Sequence, residues 1–446
     1  MAVFGGVFGR RAFKRAALLA GVAALSVLGA CVDVPDSSPL PDASAPPPPS
    51  YAADAAPPPL ILVSIDGFRT DLIDRGVTPT LSALAADGVR AKSMRPSFPS
   101  LTFPNHYTLV TGLYPDHHGI VNNTMEDAEL GHFALSEHAA VADARWWDQA
   151  TPLWVTAQDQ GRRTGIMFWP GSEAPIQGVR PDHWMPFDAK MPPDQRVDTL
   201  LGWMDLPADQ RPAFLTLYFD QVDHAEHQTG PDSAETNAAL AQVDQALARL
   251  VDGLKRRGLA DQVNLVIVSD HGMAATAPDR QVVLDDMVDA AALHVVTTGP
   301  LASMDIVQGH ADAAVKLVGR HEHMECWRKQ DLPARFHYGT NDRVPQILCL
   351  ADNGWVVTTH ADLEKRKKDQ DGKQKSGKRG DHGYDNADAD MRALFVAHGP
   401  AFKQGLVVKE FPNVDVYPLL VRLLDIQGER NDGHLEDTLD MLRPGF

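Results

Sequence analysis

Residues 60–67, Leu60-Ile-Leu-Val-Ser-Ile65-Asp66-Gly67, decide the fold class, because a continuous apolar run is followed at once by an acidic residue and a glycine. Such a run is typical of a strand that is buried on both faces of a sheet. The pattern recurs where residues 214–219 precede Asp220 and residues 264–269 precede Asp270. Because helical segments separate these runs, we predict an α/β fold with a mainly parallel central sheet and helices on both faces.

Acidic and histidine side chains gather where these runs end. A single aspartate after a strand is usually a turn or cap residue, but ligands of a parallel sheet bind at the carboxyl ends of its strands. Zinc takes both histidine nitrogen and carboxylate oxygen. Asp223 and His227 are four residues apart, a spacing that fits one helical turn or a tight loop, and Gly380 and Gly383 let the backbone around His382 approach a site closely. The candidate ligands are Asp66, Asp223, His227, Asp270, His271 and His382.

The segment 96–125 holds a further candidate, Thr102. Pro99 favours an extended chain before Thr102, Pro104 suits the first turn of a helix, and Gly112 is a stop signal after apolar-periodic residues. Thr102 is therefore predicted at or near the start of a helix. Two interpretations remain open from this segment alone: the threonine oxygen caps the helix, or the helix start binds a phosphoryl group through its N–H donors and dipole.

The beginning of the chain is typical of targeting and linker sequence. Residues 1–30 carry basic side chains, among them an arginine pair that resembles a twin-arginine signal, followed by an apolar run that is short for a membrane span. Residues 28–31, Leu-Gly-Ala-Cys, resemble a bacterial lipobox. We therefore expect export, acylation of Cys31, and location on the periplasmic side of the outer membrane. Residues 31–59, rich in Pro and Ala, predict a partly extended, lipid-anchored linker.

Net charge and cysteine content restrict the kinds of partner and the cysteine chemistry that we expect of this protein. The net charge of −18 argues against nonspecific binding to DNA or RNA, so we expect a small-molecule substrate and no nucleic-acid polymer. Cys326 and Cys349 are the two cysteines beyond Cys31. In an exported protein they most simply form a disulfide, and two free buried thiols are the alternative.

Taken together, these motifs resemble one family, the nucleotide pyrophosphatase/phosphodiesterases of the alkaline phosphatase superfamily. The resemblance rests on Pro-Ser-Phe-Pro-Ser-Leu-Thr102-Phe-Pro-Asn-His, Gly-Ile-Val-Asn-Asn123, the Asp223/His227 pair, Ser-Asp270-His271-Gly-Met and Gly-Asp-His382-Gly-Tyr-Asp-Asn. It covers essentially all of residues 60–446, which we predict to be one catalytic domain of a compact bacterial member. It implies an alkaline phosphatase-like core and a smaller inserted cap region, roughly within 274–379.

The resemblance also implies a site with two Zn²⁺ ions. Carried over by motif, one ion is held by Asp66, Thr102, Asp270 and His271, and the other by Asp223, His227 and His382. Thr102 is then the nucleophile that forms a phosphothreonine intermediate, and Asn123 helps to stabilise a phosphoryl oxygen. Glu226 stands where the resemblance leads us to expect a glycine, so the local shape beside His227 remains open.

The implied activity is hydrolysis of nucleoside triphosphates and dinucleotides to nucleoside monophosphates, by a protein that we expect to be a monomer. A phosphodiesterase for lipid headgroups such as glycerophosphocholine is the alternative enzyme, and a non-catalytic anchored binding lipoprotein is the alternative outside enzymes. Phe103, beside the nucleophile, and Phe187 are the candidates for stacking on a base. They are weighed against ordinary wall or core aromatics.

Two charged features stay outside the implied site. Residues 364–379 contain eight Lys or Arg, which favours a solvated loop, with a basic lip for polyphosphate tails as the sharper hypothesis. His321 and His323 could form a further metal-binding pair by their spacing, but they lack additional ligands at a useful spacing. We interpret them as surface histidines.

Overall fold

The structure is a computed structural model that describes residues 57–370 and 379–446. The predicted export signal, the lipobox and residues 31–56 of the predicted linker lie outside the described residues. Residues 371–378 of the basic segment 364–379 lie outside them as well. Among the helices that are described, none combines the length and hydropathy needed to cross a bilayer.

An eight-stranded sheet forms the centre of the described chain. Five of its seven strand pairings are parallel, and both antiparallel pairings involve one strand, β19 (Phe395–His398). The prediction of a mainly parallel central sheet is therefore confirmed. In spatial order the strands are β20 (Leu406–Val408), β2 (Val89–Ala91), β19 (Phe395–His398), β9 (Asn264–Val268), β1 (Leu60–Ile65), β8 (Phe214–Phe219), β6 (Thr164–Met167) and β7 (His183–Met185).

Helices cover both faces of this sheet, as predicted. Successive side chains of a strand point to opposite faces, so Leu60 and Leu62 enter one apolar cluster while Ile61 and Val63 enter another. Helices α2 (Thr102–Thr111), α5 (Leu153–Asp159) and α11 (Val416–Leu424) pack in the first cluster. Helices α1 (Pro79–Asp87), α6 (Pro193–Met204) and α8 (Ala234–Arg256) pack in the second. The helices are α1 (Pro79–Asp87), α2 (Thr102–Thr111), α3 (Pro115–His118), α4 (His138–Val141), α5 (Leu153–Asp159), α6 (Pro193–Met204), α7 (Gln221–Thr229), α8 (Ala234–Arg256), α9 (Ala311–Leu317), α10 (His360–Gln370), α11 (Val416–Leu424) and α12 (Glu436–Leu439).

A second, antiparallel sheet lies within the predicted insertion. Its strands, in spatial order, are β12 (Leu293–Thr297), β13 (Leu301–Ile306), β16 (Ile347–Ala351), β15 (Met324–Arg328) and β14 (Gly319–His321). Cys326 and Cys349 face each other on β15 and β16 and are disulfide-bonded. This confirms the disulfide interpretation.

Four two-stranded ribbons complete the described strands. They are β10 (Ala274–Thr276) with β18 (Arg379–Asp381), β11 (Gln281–Val283) with β17 (Val356–Thr358), β3 (Met94–Arg95) with β21 (Phe411–Pro412), and β4 (Thr124–Asp127) with β5 (Gly131–Ala134). The first ribbon positions the site. In this ribbon β10 leads away from the central sheet after β9, and β18 returns alongside β10. His382, which follows β18, is thereby brought back to the end of β9.

His118, at the end of α3, is fully buried and held as a neutral ring. Its Nε2 lies 3.1 Å from the carbonyl oxygen of Pro104 and 3.1 Å from Thr108 Oγ1, while its Nδ1 accepts the N–H of Ile120 at 3.2 Å. Burial lowers the pKa of His118 to about 3. The neutral ring therefore joins the chain after α3 to helix α2.

We expect acid to destabilise the fold partly through His118. Its pKa is depressed on folding, so its contribution to the free energy of unfolding is complete above the unfolded pKa of about 6.5 and declines as the pH falls towards about 3. The decline amounts to about 1.4 kcal/mol per pH unit. The free energy of unfolding, measured with urea between pH 7 and 4, should therefore fall less steeply with decreasing pH in His118→Gln than in the wild type. The difference in slope should correspond to about one bound proton. Equal slopes would contradict a neutral His118.

Candidate active site

Three aspartates meet at the carboxyl edge of the central sheet. Asp66 follows β1, and Asp270 lies two residues after the neighbouring parallel strand β9. The N–H of Gly67 donates to Asp270 Oδ1 at 3.2 Å, so the two strand ends are in contact. The next parallel strand, β8, leads into α7, where the N–H of Asp223 donates to the carbonyl oxygen of Asp66 at 3.2 Å. Parallel pairing of β1, β8 and β9, with the first turn of α7 after β8, therefore brings the three carboxylates together.

The described residues include two groups that could hold a metal ion. One group is Asp66, Asp270 and His271, and the other is Asp223, His271 and His382; within each group the ligand atoms lie within 4.8 Å of one another. His271 Nε2 is 3.0 Å from Asp270 Oδ2 and 3.5 Å from Asp66 Oδ1. His227 joins from one helical turn along α7, with its Nε2 3.4 Å from Asp223 Oδ1.

All three histidines of this cluster turn the same ring atom toward it. In each ring Nδ1 is within hydrogen-bonding distance of a backbone carbonyl oxygen, to which only a protonated nitrogen can donate. These contacts run from His227 to Gly380 (3.0 Å), from His271 to Gly272 (2.9 Å) and from His382 to Ser100 (3.0 Å). A neutral ring that donates from Nδ1 presents the lone pair of Nε2, which in each ring lies beside a carboxylate oxygen.

The carboxylates of the cluster lack the donors that buried oxygens normally have. Asp66 Oδ1, Asp223 Oδ1 and Asp270 Oδ2 are buried and accept no hydrogen bond from any described residue; the 3.0 Å contact of Asp270 with His271 lacks hydrogen-bond geometry. Such oxygens are costly unless a cation satisfies them. With the Nε2 lone pairs, they form a donor set of oxygen and imidazole nitrogen that fits a divalent metal such as zinc.

Electrostatics within the cluster act in both directions: although burial lowers the pKa of His271 and His227, the neighbouring carboxylates of Asp270 and Asp223 raise it above the usual value. Burial, with the neighbouring carboxylates of Asp270 and Asp223, raises the pKa of Asp66 well above its usual value. Burial, with the rings of His271 and His227, lowers the pKa of His382 well below its usual value. These directions follow from placing several acids and several bases out of water, and a bound cation favours the deprotonated form of all of them.

Thr102 lies at the start of helix α2, as predicted. The N-cap is Leu101, whose side chain makes no capping hydrogen bond. The interpretation of Thr102 as a cap is therefore wrong, because it is the first helical residue and its Oγ1 points instead to His271 Nε2, 3.3 Å away. Gly112 ends the helix in the left-handed conformation, with φ of 68°.

Asn123 binds the backbone of this helix start. Its Oδ1 accepts the N–H of Phe103 at 2.8 Å, which leaves the two N–H donors of its amide group. Pro104 has no N–H, so Asn123 and the first residue of α2 supply the donors that remain for an anion. Asn123 and Phe103 were both predicted in the site from the sequence. Their hydrogen bond was not predicted, because it forms only after α3 has reversed the chain between them.

Three polar side chains behind the ligands were not predicted from the sequence. Tyr218 Oη donates to Asp66 Oδ2 at 2.5 Å. His106 Nδ1 lies 2.9 Å from the carbonyl oxygen of Thr102 and 3.3 Å from Asp270 Oδ2, and its Nε2 lies 2.8 Å from Ser64 Oγ. The polar residues Ser64 and Tyr218 inside otherwise apolar strands were the available signal, since buried hydroxyls require partners.

Glu226 is accommodated within a regular helix. It lies in α7 beside His227, is fully buried, and has both carboxylate oxygens without a hydrogen-bond partner among the described residues. Burial, with the carboxylate of Asp223, raises the pKa of Glu226 well above its usual value. A side chain at Gly67 would approach Glu226 Oε2 to 3.0 Å, so the glycine after Asp66 provides the space that the glutamate fills.

A cavity of about 360 Å³ opens beside the cluster. It is lined by five of the predicted ligands together with Asn123, Phe103 and Phe187. None of the described residues of the insertion 274–379 lines it. Further lining residues are Leu135, His138, Val141, Phe168, Trp169, Pro170, Gly171, Glu173, Tyr218, Asp220 and His224. Phe103 packs against Phe133 and Trp147, and Phe187 against Phe168 and Tyr218. The two predicted stacking residues thus share one cavity with Thr102.

The second histidine pair, His321 and His323, contacts residues that do not belong to this site. His321 Nε2 contacts the carbonyl oxygen of Leu317 at 2.7 Å, and His323 stacks on Trp355 with ring centroids 3.5 Å apart. Neither belongs to a potential metal-binding group of the described residues. This agrees with their interpretation as surface histidines.

Comparison with known proteins finds that the chain is similar to members of one family. A family model described as type I phosphodiesterase/nucleotide pyrophosphatase matches residues 60–385. An uncharacterized pyrophosphatase/phosphodiesterase of Schizosaccharomyces pombe is 36% identical over 396 residues, covering 86% of this chain and 80% of that protein. The bis(5'-adenosyl)-triphosphatase of Xenopus laevis is 36% identical over 384 residues, covering 86% and 81%.

Solved structures resemble the chain to a similar extent. Murine ectonucleotide pyrophosphatase/phosphodiesterase 5, solved as an inactive threonine-to-alanine variant in complex with AMP, has a TM-score of 0.80 and 33% sequence identity. The match covers 86% of this chain and all of the murine one. The human counterpart has the same TM-score and identity, with 86% and 99% covered.

Proposed function

Because the chain belongs to the type I phosphodiesterase/nucleotide pyrophosphatase family, within the alkaline phosphatase superfamily, we propose that it is a two-zinc enzyme that hydrolyses nucleotide pyrophosphate and phosphodiester bonds. The products are nucleoside monophosphates, and the substrates are nucleoside triphosphates and dinucleotides. The observation that carries the proposal is the cluster beside one cavity: the hydroxyl of Thr102 at a helix start meets three carboxylates with unpaired oxygens and three Nε2 lone pairs.

The proposed metal ligands divide into two sets. Asp66, Thr102, Asp270 and His271 would hold one ion, and Asp223, His227 and His382 the other. When bound, such ions lower the pKa of a ligated hydroxyl or water and stabilise negative charge on phosphoryl and leaving-group oxygens. Two divalent ions and three carboxylates leave a site of about +1, which suits a singly charged phosphodiester.

The chain's own residues account for positioning and bond formation. Thr102 Oγ attacks phosphorus in line, so that an O–P bond forms to the threonine as the bond to the leaving oxygen breaks. The phosphothreonine ester is then hydrolysed by water. His271 and the helix start hold Thr102 at the cavity wall, and the free amide hydrogens of Asn123 are available to a phosphoryl oxygen, since its Oδ1 already accepts the N–H of Phe103.

Asn123→Ala should lower kcat by about 10²–10³-fold, as removal of a preorganised donor to a developing charge typically does. Asn123→Asp separates this role from a structural one. The aspartate keeps an oxygen for the N–H of Phe103 but lacks the amide donors, so its kcat should fall at least as far. Steady-state rates on a nucleoside triphosphate measure both variants. Near-normal turnover of Asn123→Asp would show that Asn123 serves only the helix start.

A nucleotide is the proposed substrate because aromatic rings line the cavity beside the nucleophile. Phe103 and Phe187 are placed to stack on a base, a contact worth about 1–3 kcal/mol that tolerates different bases. The murine relative, solved with AMP, supports this choice.

Rates on four substrates test the proposal. The zinc-loaded protein should hydrolyse a nucleoside triphosphate and a dinucleotide faster than glycerophosphocholine, and a phosphomonoester slowest. Faster cleavage of the choline ester would favour the lipid-headgroup alternative. Binding of all four without turnover would favour the non-catalytic lipoprotein.

We also propose that the enzyme works as an exported, monomeric lipoprotein anchored through Cys31, on the periplasmic side of the outer membrane. This rests on the sequence of residues 1–59. Membrane fractionation of the full chain tests it: Cys31→Ser should move the protein from the membrane to the soluble fraction. Retention of the variant in the membrane would contradict the anchor.

A further inference from the structure

Glu173 links two segments that line the cavity beside Thr102, its own turn and the segment that carries Phe187. Its Oε1 accepts the backbone N–H of Phe187 at 3.0 Å, and Glu173 itself lines the cavity. Phe187 lies in an irregular segment between β7 and α6, so no strand ladder holds its backbone. A hydrogen bond to a carboxylate is stronger than one between neutral groups. The position of the Phe187 backbone therefore depends on Glu173.

The turn that carries Glu173 is attached to the nucleophile's helix. Trp169, at the start of this turn, donates its Nε1–H to the carbonyl oxygen of His106 in α2 at 3.0 Å. Within the turn, the N–H and Oγ of Ser172 both donate to the carbonyl oxygen of Trp169, and Arg180 donates to the carbonyl oxygen of Glu173. Glu173 is therefore placed by α2, the helix that also carries Thr102 and Phe103.

Packing holds the ring of Phe187 while Glu173 holds its backbone. The ring meets Phe168 and Tyr218 edge-on, with centroids 5.4 and 6.0 Å away. The fully buried guanidinium of Arg196 lies 6.0 Å from the ring centroid and donates to the carbonyl oxygen of Tyr218. These contacts limit rotation of the ring, but they do not replace the polar bond at the Phe187 N–H.

We propose that Glu173 is a positioning residue for base recognition: it sets the place of Phe187 relative to Phe103, and hence the width of the slot into which a nucleobase stacks. The inference rests on the proposed function, since it concerns the nucleoside half of a phosphodiester substrate. It makes Glu173 selective in its effect. Loss of Glu173 should weaken binding of the group on the nucleoside side of the phosphorus, whereas the metal ligands and Thr102 should be unaffected.

Two esters that release the same leaving group test this. Thymidine 5'-monophosphate 4-nitrophenyl ester carries a base, and methyl 4-nitrophenyl phosphate carries none. For Glu173→Ala, KM for the thymidine ester should rise about tenfold, which corresponds to part of the stacking contribution, while kcat/KM for the methyl ester changes less than about twofold. Glu173→Gln keeps an oxygen acceptor for the Phe187 N–H and should restore KM to within about threefold of the wild type.

A matched control removes a carboxylate elsewhere near the cavity mouth. Glu137→Ala deletes a half-exposed acid that does not line the cavity, so a simple effect of charge would appear there too. Equal losses of Glu173→Ala on both esters, no loss on either, or failure of Glu173→Gln to restore KM would overturn the inference. Failure of the proposed function is distinguishable, because the wild type itself would then show no preference for the thymidine ester or cleave neither ester.

Discussion

Thr102→Ala should lower kcat on a nucleoside triphosphate by at least about 10⁴-fold, the scale expected when a covalent nucleophile is lost. Thr102 is the first residue of α2 and its Oγ1 contacts His271, so the methyl group of alanine leaves nothing to attack phosphorus. Because Thr102 caps no helix end, the fold should keep its stability. The substitution thus separates chemistry from folding.

Thr102→Ser is the matched control, since it restores a hydroxyl in the same place. Acid quenching during turnover of a substrate labelled at the phosphorus under attack should trap label on the wild type and on the serine variant, and none on Thr102→Ala. Undiminished turnover of Thr102→Ala would overturn the mechanism. Loss of activity with label still trapped would move the nucleophile to another residue.

Removal of metal should abolish activity and lower the melting temperature of the protein. The orphaned oxygens of Asp66, Asp223 and Asp270 are buried side by side, and without a cation their repulsion opposes folding. An ion at a thousand times its dissociation constant adds about 4 kcal/mol to the free energy of unfolding. Dialysis against a chelator followed by titration with Zn²⁺ should recover both activity and thermal stability.

Metal analysis of variants then tests the ligand assignment. The zinc-loaded wild type should hold two ions per chain, and His382→Ala should hold fewer, because its Nε2 is removed from the Asp223 group. His321→Ala is the matched control, as this histidine bonds only to a backbone carbonyl among its described contacts, and its metal content should stay unchanged. Full metal content in His382→Ala would contradict the assignment.

Much of the fold and most of the candidate ligands could be predicted from the order of residues. Three apolar runs ending in acidic residues predicted a parallel sheet with its ligands at one edge, because strands that run the same way end on the same side. Asp223 and His227 meet because residues four apart share a face of α7. The cap interpretation of Thr102 was wrong, because capping preference is local, whereas the partner of its hydroxyl is His271, 169 residues away.

The sequence by itself determined which donor atoms this protein owns and which strand ends deliver them, since local periodicity and turn residues specify where a strand stops. Only the tertiary structure decided how those atoms are held. The Nδ1 bonds of His227 and His382, the bond from Tyr218 to Asp66 and the bond from Phe187 to Glu173 all join segments that are distant along the chain or irregular in backbone. Side-chain orientation depends on such contacts between segments, which exist only once the chain has folded.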